Sequence, residues 1–521
     1  MKLAMAEEMR EMDKKAQETY GLSTAVLMEN AGHRTAEAVT ELLGKAAGRS
    51  VVVLAGSGNN GGDAFAAARH LAIAEARVKI FLVGNPAHLS PAAAQNRDTD
   101  KAMGLEIFEL DSDRAWDRLT VALRFAAVIV DGVLGTGFSG ELRKPVLRLI
   151  ELVNGLGKPV VSIDIPSGVE ADTGAVTSVA MRAAVTLTLG LPKPGQFIAP
   201  GASYVGRLLV DDIGLPPALL APQEMKQSLI DDALAETLLP QRPMAAHKGT
   251  VGRLLVVAGS RGMTGAAYLS SLAALRAGAG LVTLAVPESL ANLMEVKTTE
   301  VMTVPVPECV PGVMGGDKAL GTLLELTGKH DAVLMGPGIG RCEETGALVR
   351  QLAGYLETPL VFDADALYAF HGHLADLAAL KETPILTPHL GELASLLETD
   401  VPSLRSNLVQ NVRAAAAKLQ SIVVAKSECT LVAYPQGDVF FTAHGNPAMA
   451  TAGMGDVLAG TIAGLLRQMD SALAPLLGVY LHGTAGDLAA EEKSEGLIAS
   501  DVLARLPLSL RKLRERQQAG A

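Results

Sequence analysis

The stretch Ser50–Asp63 reads SVVVLAGSGNNGGD and decides the fold of the first half of the chain. An apolar, β-branched run is followed by glycines in the spacing G-x-G-x-x-G, at Gly56, Gly58 and Gly61, and then by the helix-like AFAAARHLAIAEA. A strand, a glycine-rich turn and a helix in this order are typical of a dinucleotide-binding unit. The stretch therefore predicts a Rossmann-like, doubly wound α/β domain.

The strand after this loop excludes the most familiar dinucleotide enzymes. A nicotinamide dehydrogenase needs an Asp or Glu about 20 residues beyond the glycines, at the end of the second strand, to bind the ribose hydroxyls. That strand ends in IFLVGNP, with Val83, Gly84 and Asn85 in place of an acid. No G-K-[ST] follows the glycines, so a P-loop is excluded as well.

Composition indicates a large, well-packed α/β protein. A chain of 521 residues exceeds what one hydrophobic core organises, so at least two domains are expected. Apolar residues make up 49% but aromatic residues only 3%, which favours small residues at close helix–sheet contacts. The net charge of −11 argues against a nucleic-acid partner, and an anionic nucleotide would have to be held by backbone N–H groups and helix N-termini.

Cysteine usage and hydropathy bear on the compartment. Cys309, Cys342 and Cys429 are isolated in the sequence, without metal-ligand spacing or a C-x-x-C pair, so we expect ordinary reduced thiols. The N-terminus lacks the apolar run of a signal peptide, and no charge-free apolar run reaches the ~20 residues that span a bilayer. We therefore expect a soluble, cytoplasmic protein without a membrane partner.

Apolar runs alternate with Ala- and Leu-rich helical stretches through most of the chain, which predicts parallel sheets covered by helices. Residues near 213–232 carry three prolines and no apolar period, so we predict the domain boundary there. Beyond it, GRLLVVAGS, GAAYLSSLAALRAGAG and LVTLAVP predict a second βαβ unit, and CTLVAYPQGDVFFT predicts a hairpin around Gln436 and Gly437. The other predicted strands are RVKIFLVG, AAVIVDG, PVVSIDIPSG and AVTLTLG in the first part, and DAVLMGPG, PLVFDADA, PILTPH and SIVVAK in the second.

Two further strands of the first part end in acidic residues, Asp131 in VIVDGVLGTGFSGE and Asp164 in VSIDIPSG. The carboxyl ends of the strands in a doubly wound sheet converge on one crevice, which would gather oxygen atoms of Asn60, Asp131 and Ser167. Such a donor set suits a hard monovalent or divalent cation. The alternative is structural, with each acid capping the turn that follows its strand.

The motifs LMENAG at 27–32, GSGNNGGD, VDGVLGTGFSGE and SIDIPSG together resemble the NAD(P)H-hydrate epimerase family, which interconverts the R and S epimers of hydrated nicotinamide dinucleotides in a Rossmann-like fold. The resemblance implies that Asp164 is the acid/base and that Asn60, Asp131 and Ser167 hold potassium. The family usually has Gly where Ala64 stands, a change that a helix start tolerates. By the same resemblance the dinucleotide contacts Asn59, Asn60, Gly61, Gly62, Asp63, Gly135, Thr136, Gly137, Phe138, Ser139, Gly140 and Glu141.

The second half contains NPAMATAGMGDVLAGTIAGLL at residues 446–466, in which small residues run into a helix. The backbone N–H groups of Gly453, Met454 and Gly455 would form an anion hole at the positive end of that helix. Asp456 lies in the opening turn, where a carboxylate beside an anion is explained if it takes a proton from a reacting hydroxyl. The alternative is an ordinary helix-start aspartate.

The GxGD pattern at a helix start resembles the ribokinase-like superfamily of small-molecule kinases. Within it, HKGTVGRLLVVAGS, GMTGAA, GPGIG, DADAL, TPHLGE and AGMGDVLAG resemble the ADP- or ATP-dependent NAD(P)H-hydrate dehydratase family over residues 235–505. The resemblance implies contacts with the hydrated dinucleotide at Ala266, Gly338, His389 and Asp456. It implies nucleotide contacts at Lys426, Ser427, Glu428, Cys429, Thr430 and Gly455.

The dehydratase resemblance implies that the nucleotide phosphorylates the hydroxyl of the hydrate and that phosphate then leaves, regenerating the dihydronicotinamide. Phosphate is a far better leaving group than hydroxide near neutral pH. Asp456 would act as the base while Mg²⁺ neutralises the transferring charge, and Glu392 of TPHLGE is a candidate partner of the metal or phosphate. The family commonly has Gly at the position of Ser427 and Thr at that of Met454, so one hydroxyl contact to phosphate is missing here.

Together the two resemblances predict one bifunctional metabolite-repair enzyme, with an epimerase in residues 1–220 and an ADP-dependent, ribokinase-like dehydratase in residues 221–521. Its substrates would be NADHX and NADPHX, the hydrated forms of NADH and NADPH, with ADP or ATP as co-substrate, and a homo-oligomer is expected. Two other classes stay open at this stage. One is a small-molecule kinase that releases a stable phosphorylated product, and the other assigns the N-terminal half to a non-catalytic binding module.

Overall fold

The computed structural model describes residues 1–242, 244–245, 247 and 251–519, so Lys248 and its neighbours in the motif HKGTVG lie outside the described residues. The chain divides into two compact units, one of Lys2–Met225 and one of Met1 with Lys226–Ala521. The assignment of one activity to each of the ranges 1–220 and 221–521 stays a prediction. No helix in the described ranges is long and apolar enough to cross a membrane.

The N-terminal unit contains a parallel sheet of seven strands. They are β1 (Ser50–Ala55), β2 (Arg77–Leu82), β3 (Glu106–Glu109), β4 (Val128–Gly132), β5 (Val160–Ile163), β6 (Val185–Leu189) and β7 (Arg207–Asp211). Their order is β3-β2-β1-β4-β5-β6-β7, which reverses between β1 and β4 as in a doubly wound sheet and confirms the predicted fold class. The sequence analysis missed β3 and β7, two short edge strands whose charged residues interrupt the apolar pattern.

Helices cover both faces of this sheet. Val51 and Val53 of β1 belong to one buried apolar cluster, and Val52 and Leu54 belong to the other. Because successive side chains of a strand point to opposite faces, both faces are buried, as parallel sheets require. The helices are Ala6–Tyr20, Thr24–Leu43, Asn59–Ile73, Pro91–Ala102, Asp113–Phe125, Lys144–Leu156, Ala202–Val205 and Pro217–Leu220.

The glycine loop after β1 has no room for side chains. A methyl group on Gly56 would lie 2.0 Å from the carbonyl oxygen of Val133, and one on Gly61 would lie 1.9 Å from the carbonyl oxygen of Gly56. The departure at Ala64 is accommodated because residue 132 is glycine, where an added methyl would lie 2.6 Å from the Ala64 Cβ. The glycines therefore set how closely helix Asn59–Ile73 approaches the sheet.

The C-terminal unit contains a larger mixed sheet, with ten strands within the described residues. Its strands, together with those of a separate antiparallel pair, are β8 (Gln227–Ile230), β9 (Arg253–Val257), β10 (Leu281–Pro287), β11 (Met302–Val306), β12 (Glu308–Val310), β13 (Val313–Met314), β14 (Ala332–Met335), β15 (Leu360–Phe362), β16 (Ile385–Leu386), β17 (Ile422–Ala425), β18 (Leu431–Ala433) and β19 (Val439–Thr442). The large sheet has the order β11-β10-β9-β14-β15-β16-β17-β18-β19-β8, and β12 pairs with β13. The small pair and β11 were not predicted.

The predicted local motifs of this unit are confirmed. Strands β9 and β10 pair in parallel around helix Thr264–Ala277, which ends at Gly278 with a φ of 119°. Strands β18 and β19 form the predicted antiparallel hairpin. The segment near 213–232 contains the division between the units, but it also contains β8, which the sequence analysis missed.

The remaining helices within the described residues all lie in the C-terminal unit. They are Asp232–Leu238, Thr264–Ala277, Ala291–Lys297, Asp317–Thr327, Glu343–Tyr355, Asp365–Tyr368, Leu374–Ala378, Leu390–Leu397, Val401–Ser406, Leu408–Leu419, Met454–Leu465, Ala474–Lys493 and Ala499–Ala519.

Candidate active sites

A cavity of about 890 Å³ lies at the carboxyl ends of β1, β2, β4 and β5 in the N-terminal unit. Its volume is in the range of small-molecule and cofactor sites. Gly61 and Gly62 are buried and do not line it, and neither do Gly140, Asp131 and Ser167. The predicted site residues that do line it are Asn59, Asn60, Asp63, Gly135, Thr136, Gly137, Phe138, Ser139, Glu141 and Asp164.

Asp164 is held in the wall of this cavity by an unusual set of contacts. Its φ of 65° is left-handed, which is uncommon for a residue other than glycine, and the Gln196 side chain donates a hydrogen bond of 2.7 Å to its carbonyl oxygen. The ammonium group of Lys193, whose side chain is 1% exposed, forms an ion pair with its carboxylate. Lys193 also donates to Thr188 Oγ1 at 3.0 Å and to the Leu189 carbonyl oxygen at 2.9 Å. Backbone strain and a buried cation thus coincide at one aspartate, as they do at functional sites.

Two more carboxyl groups, those of Asp13 and Asp63, line the same cavity. Burial and the negative charge of Asp164 raise the pKa of Asp13 to about 6, against the opposing effect of Lys193. Burial, Asp164 and Asp13 raise the pKa of Asp63 well above its ordinary value. Two of the three carboxyl groups in this cavity therefore have raised pKa values, whereas the third, Asp164, forms the ion pair with Lys193.

The predicted cation ligands Asn60, Asp131 and Ser167 lie together. Ser167 Oγ donates to Asp131 Oδ1 at 2.6 Å and accepts the Leu134 N–H at 2.9 Å, while Asn60 Nδ2 donates to the Leu134 carbonyl oxygen at 2.8 Å. Burial raises the pKa of Asp131, whereas hydrogen bonds from Ser167, Ser162 and Val133 lower it. The buried Asn60 Oδ1 has no hydrogen-bond partner among the described residues. An oxygen atom without a donor, beside a buried carboxylate, fits an oxygen-ligated cation.

The second candidate site surrounds Asp456, in the first turn of helix Met454–Leu465. Burial and the charge of Asp363 raise the pKa of Asp456 to about 7, although Lys426 lowers it. Lys426 donates to Asp363 Oδ1 at 2.8 Å and lies 4.0 Å from Glu392 Oε2. Burial lowers the pKa of Lys426, but Asp363 and Glu392 together raise this pKa by more than burial lowers it. The lysine is therefore charged.

Glycines at the start of helix Met454–Leu465 let other groups come close to its backbone. Gly453 has a φ of 89°, and the Lys426 ammonium would lie 3.0 Å from a methyl group on Gly455, so a side chain there would displace the lysine. The side chain of Met454 packs in the buried apolar cluster instead of supplying a hydroxyl. His482 hydrogen-bonds the backbone of Met454, burial lowers its pKa to about 4, and its Nε2 is buried without a partner among the described residues.

His389 has a structural role at the start of a helix. It caps helix Leu390–Leu397, because its Nδ1 accepts the Gly391 N–H at 3.0 Å and the Glu392 N–H at 3.2 Å. In return Glu392 Oε2 accepts the His389 N–H at 2.8 Å. An accepting Nδ1 places the proton of the neutral ring on Nε2. That nitrogen belongs to a side chain that is 60% exposed, so its contact with a substrate stays a prediction.

Some of the other predicted residues of this unit lie together, whereas the side chains of others are engaged elsewhere. Ala266 and Gly338 are neighbours, since a methyl group on Gly338 would lie 3.1 Å from the Ala266 Cβ. Within residues 426–430, Glu428 pairs with Arg405, and Cys429 is buried with its Sγ 3.2 Å from the Thr442 carbonyl oxygen. Burial raises the pKa of Cys429 to about 12, so this thiol is inert. Any nucleotide contact at Cys429 would therefore go through the backbone.

Sequence analysis missed several groups that the fold brings to these sites. Asp13 comes from helix Ala6–Tyr20, Lys193 from the segment after β6, and Asp363 from the DADAL motif, where its role was not assigned. A lone lysine between prolines, GLPKPGQ, was the available signal for Lys193. All three cysteines are free thiols, but the fold brings together two that are isolated in the sequence, since the Sγ atoms of Cys309 and Cys342 lie 3.8 Å apart.

Comparisons with known proteins agree with this division of chemistry. Residues 254–508 match the family described as NAD(P)H-hydrate dehydratase, and residues 24–195 match the family described as YjeF-related protein N-terminus. The chain is 40% identical, over 99% of its length and 98% of the relative's, to the bifunctional NAD(P)H-hydrate repair enzyme of Moorella thermoacetica. It is 40% identical over 99% of its length and 97% of the relative's to the enzyme of the same name from Thermofilum pendens.

A solved structure, the ADP/ATP-dependent NAD(P)H-hydrate dehydratase of Bacillus subtilis, is 28% identical, with a TM-score of 0.46, and covers 55% of this chain and 98% of its own. The relatives from Moorella and Thermofilum extend over both units and therefore establish the family. The chain belongs to the bifunctional NAD(P)H-hydrate repair enzymes.

Proposed function

We propose that the N-terminal unit epimerises NADHX and NADPHX and that the C-terminal unit dehydrates the S epimer to NADH and NADPH. The observation that carries the proposal is that each unit gathers carboxyl groups around one lysine, which pairs with Asp164 in the N-terminal unit and with Asp363, near Asp456, in the C-terminal unit. Fusion suits this chemistry, because the first reaction supplies the epimer that the second consumes.

In the epimerase, Asp164 gives and takes the proton while the reacting carbon is transiently planar. Lys193 holds the Asp164 carboxylate in place, and the raised pKa values of Asp13 and Asp63 keep protons available in the same cavity. The dinucleotide is held by backbone N–H groups at the start of helix Asn59–Ile73 and by the loop 135–141.

The metal ions have different positions in the two reactions. Potassium would be held by Asn60, Asp131 and Ser167, where it lowers the cost of the buried Asp131 charge and orders the loop after β4. In the C-terminal unit, the described residues contain no group of three acidic side chains close enough to share a cation. Magnesium usually binds through one or two carboxylates and substrate phosphates, so we propose that it enters with the nucleotide, near Glu392.

In the dehydratase, Asp456 takes the proton of the substrate hydroxyl while the phosphoryl group is transferred to the hydroxyl oxygen. The N–H groups at Gly455 and Met454 stabilise the transferring charge, and Lys426 adds a fixed positive charge beside them. Ala266, Gly338 and His389 bind the hydrated dinucleotide, and residues 426–430 hold the nucleotide largely through their backbone. Phosphate then leaves with the electron pair of the C–O bond, pushed by the ring nitrogen, and the adjacent ring carbon loses a proton to form the double bond of the dihydronicotinamide.

The co-substrate is ADP, which gives AMP and phosphate, with ATP as the alternative. The fused architecture of the chain favours ADP only by analogy, so the nucleotide has to be tested directly. We also propose that the protein is a homo-oligomer. We place it in the cytoplasm, because repair has to occur where NADH and NADPH are used.

The test mixes purified protein with R,S-NADHX, Mg²⁺ and either ADP or ATP, and follows recovery of the reduced-nicotinamide absorbance. Full recovery with release of free phosphate supports both reactions. Recovery that stops near the S fraction contradicts the epimerase assignment. A stable phosphorylated product, without recovery, identifies a kinase instead.

A further inference from the structure

A second cluster of chemically active side chains lies apart from the lysine–carboxylate group of the C-terminal unit. Cys309 lies on β12, Cys342 caps helix Glu343–Tyr355, and Glu344 lies in the first turn of that helix. The two Sγ atoms are 3.8 Å apart, and one carboxylate oxygen of Glu344 lies within 4.8 Å of both. Among the described residues this is the one group of three or more His, Cys, Asp or Glu side chains that converges so closely.

The spacing of the sulfur atoms matches a tetrahedral metal site. Two thiolates bound to zinc at about 2.3 Å with a tetrahedral angle are about 3.8 Å apart, the separation seen here. A disulfide requires a sulfur–sulfur distance of about 2.05 Å, much shorter than the observed one. Two thiolates and a carboxylate also form a mixed soft donor set that selects zinc-class cations over magnesium or potassium.

The surroundings hold the three ligands together. A methyl group on Gly315 would lie 2.8 Å from Cys309 Sγ and 3.1 Å from Glu344 Cβ, so glycine lets these residues meet. The Thr345 N–H donates to Cys342 Sγ at 3.4 Å, and Thr345 Oγ1 lies 2.9 Å from that sulfur while donating to the Met314 carbonyl oxygen at 2.7 Å. These contacts fix the position of the Cys342 sulfur beside Cys309.

We propose that Cys309, Cys342 and Glu344 bind one zinc-class divalent cation, with a water molecule in the fourth position. Binding releases the two thiol protons to solvent and forms two metal–sulfur bonds and one metal–oxygen bond, with no redox change. The cation ties the β12–β13 pair to the loop that precedes helix Glu343–Tyr355. That loop contains Gly338, so the site braces a segment assigned to the substrate while lying outside it.

The test titrates Co²⁺ into the reduced, metal-free full-length protein. We expect one equivalent to produce thiolate-to-cobalt charge-transfer bands and the intense visible bands of a tetrahedral site, and Zn²⁺ to displace it. Cys309→Ser and Cys342→Ser should abolish these bands, whereas Cys429→Ser, the matched control in a buried strand region, should keep them. Glu344→Gln should weaken binding at least as much as loss of an outer-shell partner does, about 10- to 100-fold.

A second measurement does not depend on variants that fold. Zn²⁺ should protect Cys309 and Cys342 of the wild-type protein from alkylation, as read by peptide mass mapping. Absence of a cobalt band overturns the proposal, as does a band that survives in Cys309→Ser. Formation of a Cys309–Cys342 disulfide without metal uptake by the reduced protein overturns it too. Metal binding with unchanged repair activity supports a structural site and leaves the proposed function untouched.

Discussion

In both candidate sites several carboxyl groups lie around one lysine. The sites differ in which carboxylate forms the ion pair with that lysine. In the N-terminal unit Lys193 forms its ion pair with Asp164, the predicted acid/base, and the raised pKa values belong to Asp13 and Asp63. In the C-terminal unit Lys426 forms its ion pair with Asp363, and the raised pKa belongs to Asp456, the predicted base.

This difference fits the reactions. An epimerase has to return the proton that it removes, so a cluster that holds an ionised carboxylate beside protonated ones serves both directions. The dehydratase removes a proton from a hydroxyl once per cycle, and a base with a pKa near neutrality is the efficient choice. A lysine that pairs with a neighbouring acid leaves the catalytic carboxylate free to accept a proton. A direct ion pair with that carboxylate would make it a weaker base.

The largest expected effect comes from Asp456→Asn. It should lower the rate of nucleotide-dependent NADHX dehydration by about 10²- to 10⁴-fold, the usual contribution of a positioned base, and leave epimerisation intact. The control is Asp317→Asn, an exposed aspartate in the first turn of another helix of the same unit. If both variants lose activity equally, Asp456 is a helix-start residue and the comparison between the sites fails.

Asp164→Asn should act on the other reaction alone. The initial rate of R-to-S conversion should fall by about 10²-fold or more, because the proton acceptor is lost and Lys193 stays buried without its partner. Repair of pure S-NADHX should continue at the wild-type rate. Asp113→Asn, at an exposed helix start in the same unit, is the control. Loss of S-NADHX repair in Asp164→Asn would show that the two units do not work independently.

The pH dependence should separate the two sites in one sample. Asp456 works when it is deprotonated and its pKa is raised to about 7, so kcat/KM for dehydration should rise about tenfold per pH unit below pH 7 and level off above it. Epimerisation should follow a different profile, because its cavity contains Asp13, with a pKa of about 6, and Asp63, with a pKa well above its ordinary value. Parallel profiles for the two reactions would contradict the assignment of different lysine partners.

The sequence predicted what local patterns encode. Asp164 ends a strand and Asp456 begins a helix, and both positions follow from glycine spacing and apolar runs in their own segments. Lys193, Asp13 and Asp363 were missed as site residues, since only the fold brings them to those positions. The same limit explains Cys309 and Cys342, which are 33 residues apart in the chain and 3.8 Å apart at their sulfurs.

Helix caps set another limit on sequence reasoning. His389 belongs to the TPHLGE motif that carries the dehydratase resemblance, yet its Nδ1 is occupied in capping a helix. A sequence motif can contain residues that position the backbone and residues that contact the substrate, and the motif alone does not distinguish the two. Likewise Gly61 and Gly62 of GSGNNGGD are buried outside the cavity wall, because Gly61 packs against Gly56 just after β1 and Gly62 packs against Met28 and Ala93 of neighbouring helices.

The smallest expected effect concerns potassium, which only the N-terminal site should bind through Asn60, Asp131 and Ser167. K⁺ at ten times its Kd should stabilise that unit by about 1.4 kcal/mol over choline at equal ionic strength. The chain has one tryptophan, the buried Trp116 of helix Asp113–Phe125, so its fluorescence reports the unfolding of this unit selectively.

Two serine variants decide whether the cation lies where the unpartnered Asn60 oxygen indicates. Ser162→Ala and Ser167→Ala both remove a hydroxyl that donates to Asp131, at 2.9 Å and 2.6 Å. Only Ser167 also contacts Leu134, which joins it to Asn60. Both variants should therefore lower the midpoint of unfolding, but Ser167→Ala alone should lose its dependence on K⁺. Equal K⁺ dependence in both variants would show that the cation does not bind at this cluster. The proposed difference in metal use between the two sites would then be wrong.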